Sequence, residues 1–237
     1  MKTIYSYRIG LCVMGIALSC GVAKGQTDAT PATAYLQQAE KEAALYNGKI
    51  EQRYFTTAEG HPYADTKEFT EGELRFDGIT YPDVPLRLNV HRDELILLSP
   101  DRKTCLVLPA EGVEYARFGG YETRWMRPQG EKGYLAEGYY QRIRTQGNHP
   151  LYRRLKKRIS ERKRGMEVTQ YFDEKQEYYL LQAGRFHPVG SQKALLRCLS
   201  DRQAELKTYI KRHGLRFNQE RERTLVTLLD YYDTIKE

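Results

Sequence analysis

Apolar and polar residues alternate through the middle of the chain and change to helical spacing near its end. Leu86, Leu88 and Val90 alternate with polar neighbours, which is the period of a strand with one buried face. Similar segments follow one another up to about residue 189, and Asp77-Gly78 and Ala183-Gly184 separate some of them as tight hairpins require. Since no strand–helix–strand alternation interrupts them, the pattern predicts about ten antiparallel strands.

Two helices are predicted after residue 190. Ser191 is placed to cap the first, Gly214 ends it, and Asn218 is placed to cap the second. Their apolar faces are formed in turn by Leu195, Leu199, Leu206, Tyr209 and Ile210, and by Leu225, Leu228, Leu229, Tyr232 and Ile235. A short N-terminal helix is predicted from the spacing of Leu36, Ala39, Ala43 and Tyr46, which stops at Asn47-Gly48.

These elements predict an α+β fold. The expected architecture is a curved antiparallel sheet or open barrel of about ten strands, with the short N-terminal helix before it and a C-terminal helical hairpin packed on it. The predicted divisions are a signal peptide at 1–25, a linker at 26–33, the helix and sheet at 34–190, and the helical hairpin at 191–237.

The first 25 residues have the pattern of an export signal. Lys2 and Arg8 precede a short apolar run, and Ala23-Lys24-Gly25 supplies the small residues that a signal peptidase reads. Processing after Gly25 would give a periplasmic or secreted protein without a transmembrane segment. The alternative is lipidation of Cys20, which would anchor the protein to a membrane.

Charge is distributed unevenly along the chain. Removal of Lys2, Arg8 and Lys24 with the signal lowers the net charge from +7 to +4. Residues 26–130 are acidic overall and residues 131–237 are strongly basic. The densest basic segment lies in the second part and predicts either an anion-binding site or a solvated charged face. Its members are Arg153, Arg154, Lys156, Lys157, Arg158, Arg162, Lys163 and Arg164.

Residues that could support catalysis or bind metal are scattered. No serine lies in a Gly-x-Ser-x-Gly turn, and the histidines lack the spacing of metal ligands, so neither a cofactor nor a metal site is predicted. Export would leave Cys105 and Cys198, which could form a disulfide or remain as small buried apolar residues. In the pairs Tyr139-Tyr140, Tyr178-Tyr179 and Tyr231-Tyr232, one member is expected in the core and the other at the surface.

Several short segments of the chain are similar to a known family. They are Gly72–Gly78, Val84-Pro85-Leu86, Arg92–Leu95, Tyr178-Tyr179-Leu180, Ser191-Gln192-Lys193 and Tyr231-Tyr232-Asp233. With these segments the chain resembles an uncharacterised family of exported cell-envelope proteins of Bacteroidota-type bacteria. The resemblance implies a cell-envelope location and favours a strand at 151–159. It supplies no catalytic or binding residues.

The expected function is that of a non-catalytic exported module. It would bind an envelope protein, a glycan or an anionic lipid surface, and nucleic acid is not an expected partner of an exported protein. The alternative is a hydrolase acting on an envelope glycan, with paired carboxylates supplied by separate strands.

Overall fold

Strands make up most of the protein, and three helices follow them. The computed structural model describes residues 45–54, 57–128 and 135–236, all within one unit that spans Ala39–Glu237. The described strands are β1 (Lys49–Ile50), β2 (Thr70–Phe76), β3 (Ile79–Asn89), β4 (Glu94–Leu98), β5 (Cys105–Val107), β6 (Val113–Phe118), β7 (Tyr121–Met126), β8 (Gly138–Arg144), β9 (Leu151–Arg164), β10 (Glu167–Gln182) and β11 (Arg185–Pro188). The described helices are α1 (Gln192–Cys198), α2 (Gln203–His213) and α3 (Arg221–Lys236).

The eleven described strands form one antiparallel sheet in the order β1-β5-β4-β3-β2-β6-β7-β8-β9-β10-β11. Two meanders, β2 to β5 and β6 to β11, are joined where β6 pairs with β2. The sheet is open, because its outermost strands β1 and β11 do not pair with each other. The predicted α+β class and antiparallel sheet are therefore confirmed.

The two predicted tight turns have the geometry that their residues favour. Asp77 and Gly78 have φ of +48° and +77°, and Ala183 and Gly184 have φ of +49° and +73°. Positive φ at both central residues matches the right-handed twist of the strands that such a turn joins. These turns connect β2 to β3 and β10 to β11, and the residues that flank each turn, Phe76 with Ile79 and Gln182 with Arg185, are cross-strand partners.

The sheet bends strongly around its first half. Three strands separate β3 from β8, so a flat sheet would hold those strands about 19 Å apart. Nevertheless Asp93, in the turn after β3, accepts a 3.0 Å hydrogen bond from the backbone N–H of Tyr139 in β8. The backbone N–H of Lys157 in β9 likewise donates to the carbonyl of Val90 at 3.3 Å. The end of the β3–β4 hairpin therefore lies against β8 and β9.

A hydrophobic core fills the concave side of this bend. Its side chains come mainly from β2 to β6, and Tyr139 and Leu155 join them from β8 and β9. Leu74, Leu86, Leu95 and Leu97 are fully buried there. The alternation of Leu86 and Leu88 with polar residues in the sequence reflects this single buried face.

The helical region differs from the prediction of two helices. Ser191 caps α1 as expected, since its hydroxyl accepts a 3.2 Å bond from the N–H of Ala194, and Gly214 ends α2 with φ of +61°. A 3-10 turn at Ser200–Arg202 divides the first predicted helix into α1 and α2. Short polar residues such as Ser and Asp compete with the helical backbone for hydrogen bonds and favour such a break. The last helix begins at Arg221, after Asn218 rather than next to it.

A second core lies between the helices and β9 and β10. Leu151 and Leu180 pack there against the predicted apolar faces of the helices, on which Leu195, Leu206 and Leu228 are fully buried. Within the part of the chain that the structure describes, no helix is both long and apolar enough to cross a bilayer.

A third, smaller cluster covers the other face of the sheet and overturns one expectation. Tyr140 and Tyr179 are buried in it with Leu135 and Tyr152. Their neighbours Tyr139 and Tyr178 are buried in the first and second cores. Because this part of the sheet is covered on both faces, adjacent tyrosines that point in opposite directions are both buried. The prediction of one surface tyrosine per pair is wrong for these two pairs.

The remaining predictions concern the cysteines and the N-terminal segment. Cys105 in β5 and Cys198 in α1 are free thiols, so the disulfide left open by the sequence is not formed in the structure. Burial raises the pKa of both thiols. The signal peptide, Cys20, the linker 26–33 and most of the predicted N-terminal helix lie outside the described residues.

Candidate functional site

The basic segment lies on β9, as the resemblance favours, and extends from the core of the sheet into solvent. The ladder with β8 covers Leu151–Arg153 of β9, and the ladder with β11 covers Tyr179–Gln182 of β10. Beyond these ladders β9 and β10 continue as a two-stranded ribbon that ends at the Gly165-Met166 turn. Residues 158–173 of this ribbon are called the basic hairpin below, and residues 161–168 are called its tip.

Arg153 is buried at the base of the ribbon and already has acidic partners. Its guanidinium contacts the carboxylates of Asp65 and Glu222, each at 3.2 Å, and donates to the side-chain oxygen of Gln141. It also lies over the ring of Tyr121, 4.4 Å from the ring centroid. Every arm of this guanidinium is occupied within the fold.

Arg154 points to the opposite face of β9 and is equally enclosed. Its Nη2 lies 2.7 Å from Oδ2 of Asp93, and its other bonds go to the carbonyls of Ala136 and Glu137 and to the hydroxyl of Tyr140. Consecutive strand residues point to opposite faces, and both faces are covered here. This explains how two adjacent arginines can both be buried.

Lys157 is the third basic residue that the fold uses internally. Its Nζ donates to the carbonyl of Tyr63 at 2.8 Å and lies 3.5 Å from the carboxylate of Glu174. Lys156, on the other face, is half-buried, and burial lowers the pKa of its amine. Arg153, Arg154 and Lys157 therefore stabilise the fold, and a free anion would have to displace an existing partner to reach them.

The other four basic residues lie in the basic hairpin and are exposed. They are Arg158, Arg162, Lys163 and Arg164. The ion pairs among the described residues include none of these four side chains. Arg162 lies over the ring of Tyr171 at 4.8 Å, which leaves its charge facing solvent. With Glu161 and Glu167, the segment 158–168 carries a net charge of +2.

Exposed apolar side chains accompany these cations. The large apolar residues that the described chain exposes are Ile50, Ile159, Met166 and Val168, and all but Ile50 belong to the basic hairpin. Met166 is fully exposed at the turn, and half of Val168 is accessible. The sequence analysis missed these residues. The signal for them was an apolar residue directly after the turn-forming Gly165, where a polar residue is usual.

The tip is built as a narrow two-residue hairpin. Gly165, the first central residue of the turn, has φ of +66°, a conformation that glycine adopts without strain. Cross-strand partners share a face, so Lys163 and Val168 lie on one face and Arg164 and Glu167 on the other. The ribbon extends about 14 Å from Tyr171 to Glu167. Tyr171 marks the start of this length because it forms a β-bridge with Glu59 of the fold. Every residue from Glu161 to Val168 is exposed.

A polar groove of about 580 Å³ lies beside the base of the ribbon, between β10 and the start of α3. Its acids include Glu174 and Glu222, which are held by Lys157 and Arg153 respectively. Burial is the main cause that raises the pKa of Tyr178 to about 12, so the tyrosine hydroxyl in this groove stays protonated at neutral pH. Glu174 and Glu222 thus serve as partners of cations that the fold uses internally, and Glu220 pairs with the exposed Arg223.

The histidines are not gathered into one site. Nδ1 of His149 lies 2.5 Å from Oδ1 of Asp233, beside Tyr232 of the second core. His91, in contrast, contacts the backbone carbonyl of Lys157. Among the described residues, no group of three or more His, Cys, Asp or Glu side chains is arranged to hold a metal ion.

Comparisons with protein-family models, with curated proteins and with solved structures find no significant match for this chain.

Proposed function

We propose that this protein is a non-catalytic, exported cell-envelope module that binds an anionic partner through the tip of the basic hairpin. The observation that carries the proposal is the run of three consecutive exposed cations, Arg162, Lys163 and Arg164, at the end of a projecting ribbon. These exposed cations form no ion pair among the described residues, so they remain available to an external anion. The buried Arg153 and Arg154 are not available, because they are already paired with carboxylates of the fold.

The shape of the ribbon supports this role. Its base is fixed to the fold by the buried ion pairs of Arg153 and Arg154, so the tip projects from a rigid support. A contact of this kind acts mainly through charge, which solution ions screen over about 8 Å at physiological salt. Binding through the tip should therefore weaken steeply as the salt concentration rises.

The hydrolase alternative receives less support from the geometry. A glycosidase needs one protonated and one ionised carboxyl group across a substrate cleft. In the polar groove, Glu174 and Glu222 form ion pairs with Lys157 and Arg153 respectively. Both carboxylates therefore already have partners within the fold, and for this reason the groove supports a hydrolase less than the tip supports binding.

Two triple variants of equal charge test the proposal. In the first, Arg162, Lys163 and Arg164 are replaced by Gln, and in the control Lys207, Lys211 and Arg212, which are exposed on α2, are replaced by Gln. Retention on immobilised dextran sulfate is measured along a salt gradient. The tip variant is expected to elute at clearly lower salt than the control variant. Equal elution of the two would show that net charge alone determines retention, and would refute the proposal.

The proposed envelope location rests on the N-terminal pattern and has its own test. Cleavage after Gly25 predicts a mature protein that begins at Gln26. Mass spectrometry of the protein purified from an expressing bacterium gives the N-terminus directly. A chain that begins at Cys20 with attached acyl groups would replace the soluble form by a membrane-anchored one.

A further inference from the structure

We infer that the anionic partner is a lipid bilayer, which the tip enters with Met166 and Val168 while the adjacent cations contact anionic headgroups. This inference rests on the proposed function and adds the chemical nature of the partner. The proposed function depends only on the charge of the tip, whereas this inference depends on its exposed apolar residues, Met166 and Val168.

The apolar residues are positioned at the depth that insertion requires. Met166 is at the turn itself, and Val168 is one residue beyond Glu167, so both lie within about 7 Å of the apex. Ile159, by contrast, is five residues before the end of β9, about 17 Å from Arg164. A ribbon that enters tip first would bury Met166 and Val168 and leave Ile159 in water.

The cations lie beside this apolar apex on β9, and Glu167 lies between Met166 and Val168 on β10. Arg164 directly precedes the turn, and Lys163 is the cross-strand partner of Val168. Long basic side chains can bury their aliphatic stems in the interface while their charges stay at the headgroup level. A basic residue close to an anionic leaflet is worth about 1 kcal/mol, which is about a fivefold gain in affinity for each of the three.

Other anionic partners fit the apex less well. Acidic glycans offer sulfates and carboxylates to cations, but aliphatic side chains such as Met and Val have little to contact on a sugar, where aromatic stacking is more usual. The aromatic ring nearest the tip cations, Tyr171, is covered by Arg162. The tip combines a fully exposed apolar side chain with exposed cations, and binding to anionic lipid depends on both buried apolar area and positive charge.

The experiment combines vesicles with the purified full chain. Partition is measured by co-sedimentation with vesicles of phosphatidylcholine that contain phosphatidylglycerol, and with vesicles of phosphatidylcholine alone. The variant Met166→Ser with Val168→Ser is compared with Ile50→Ser, which removes an exposed apolar residue from β1. We expect the double variant to bind the anionic vesicles at least about tenfold more weakly, since two buried side chains are lost, and Ile50→Ser to bind like the parent.

Insertion is also read directly. In Met166→Trp, the new indole is expected to be quenched by brominated lipid in the anionic vesicles, whereas that of Ile50→Trp should not be quenched. The lipid inference is overturned if the double variant binds the vesicles as well as the parent, or if the parent does not bind them while it is retained on dextran sulfate. That second result would leave the charge-based function standing with a glycan or acidic protein as partner. Equal elution of the two triple variants from dextran sulfate would instead refute the proposed function itself.

Discussion

The carboxylate of Asp93, in the turn after β3, is paired at 2.7 Å with the guanidinium of Arg154, near the start of β9. Sixty-one residues separate them in sequence. Asp93 also accepts a hydrogen bond from the backbone N–H of Tyr139, so a single side chain connects the β3–β4 hairpin to both β8 and β9. The pair therefore holds the bend of the sheet.

Replacing Asp93 by Asn should destabilise the protein by about 3 kcal/mol, because Arg154 would be left buried without its counter-charge. Asn tolerates the positive φ of this position, +61°, so the substitution should leave the backbone conformation unchanged. Urea unfolding measures the loss. The control is Glu114→Gln, which removes the charge of an exposed pair with Arg75 and should cost much less, because solvent screens such a pair. Equal losses in the two variants would mean that the bend does not depend on the Asp93 pair.

Gly138 is needed for the same contact. Its φ is +147°, and a Cβ at this position would collide with the carboxylate of Asp93 and the guanidinium of Arg154. Gly138→Ala should therefore destabilise the fold by about 3 kcal/mol. Combined with Asp93→Asn, the loss should fall short of the sum by at least about 1 kcal/mol, because both changes break one interaction. Strict additivity in the urea measurements would show that the glycine acts independently of the pair.

Gly78 and Gly190 allow the effect of a positive φ to be measured without a steric clash at Cβ. A Cβ would meet no atom within 4 Å at either Gly78 or Gly190, but only Gly78 has a positive φ, at +77°. Gly78→Ala should cost about 1 kcal/mol, because the β2–β3 turn forces alanine into the left-handed region. Gly190→Ala should be neutral or stabilise the protein by up to about 1 kcal/mol. Thermal unfolding of the two variants provides the comparison, and an equal effect would mean that β2–β3 rearranges to accept the side chain.

Acid should weaken the protein partly through Asp233. Burial alone would raise the pKa of this carboxyl, but hydrogen bonds from Arg144 at 2.6 Å and His149 at 2.5 Å outweigh it and lower the pKa. A lowered pKa in the folded state stabilises the protein above the ordinary aspartate pKa of about 4, and this stabilisation is lost as the pH falls through the lowered value.

Asp233→Asn should therefore lose about 2 kcal/mol at neutral pH and show a flatter fall of the unfolding free energy below about pH 5. Asp230→Asn is the matched control, because Asp230 contacts the same arginine with 59% of its side chain exposed. It should change the pH profile little. A profile of Asp233→Asn parallel to that of the parent would show that the carboxylate has no special role.

The free cysteines predict a specific pattern of alkylation. Because burial raises the pKa of Cys105 and Cys198, iodoacetamide at neutral pH should modify both at least about tenfold more slowly in the folded protein than in guanidinium chloride. Peptide mapping should find both labelled after unfolding without reductant. Labelling that requires a reductant would reveal a bridge.

The local elements of this protein could be predicted from sequence, because alternation and turn chemistry act over a few residues. Leu86 and Leu88 lie on the buried face of β3 as their alternation predicts, and Asp77-Gly78 forms the expected turn. The pairing of β6 with β2 could not be predicted, since no local pattern records which meander edge a strand will join.

The candidate site was predicted only in outline for the same reason. The density of basic residues on β9 was visible, but which of them would be used internally depended on Asp65 and Asp93, brought close by the bend of the sheet. The tyrosine pairs failed similarly, because burial of both faces depends on a third cluster whose members are distant in sequence. The alternation of residues along a strand identifies its two faces, but the residues that cover each face are determined by the complete fold.

The pairing of β2 with β6, called the joint below, also affects how the chain folds. Each meander can form from its own turns, but Glu73 and Arg117, which meet across the joint, are 44 residues apart. The entropy of closing that loop must be overcome before its hydrogen bonds form, and sheets that depend on such distant pairings fold slowly, in milliseconds to seconds. Until the joint closes, β2 and β6 present unpaired edges to other chains, so the folding protein passes through its period of greatest aggregation risk at this step.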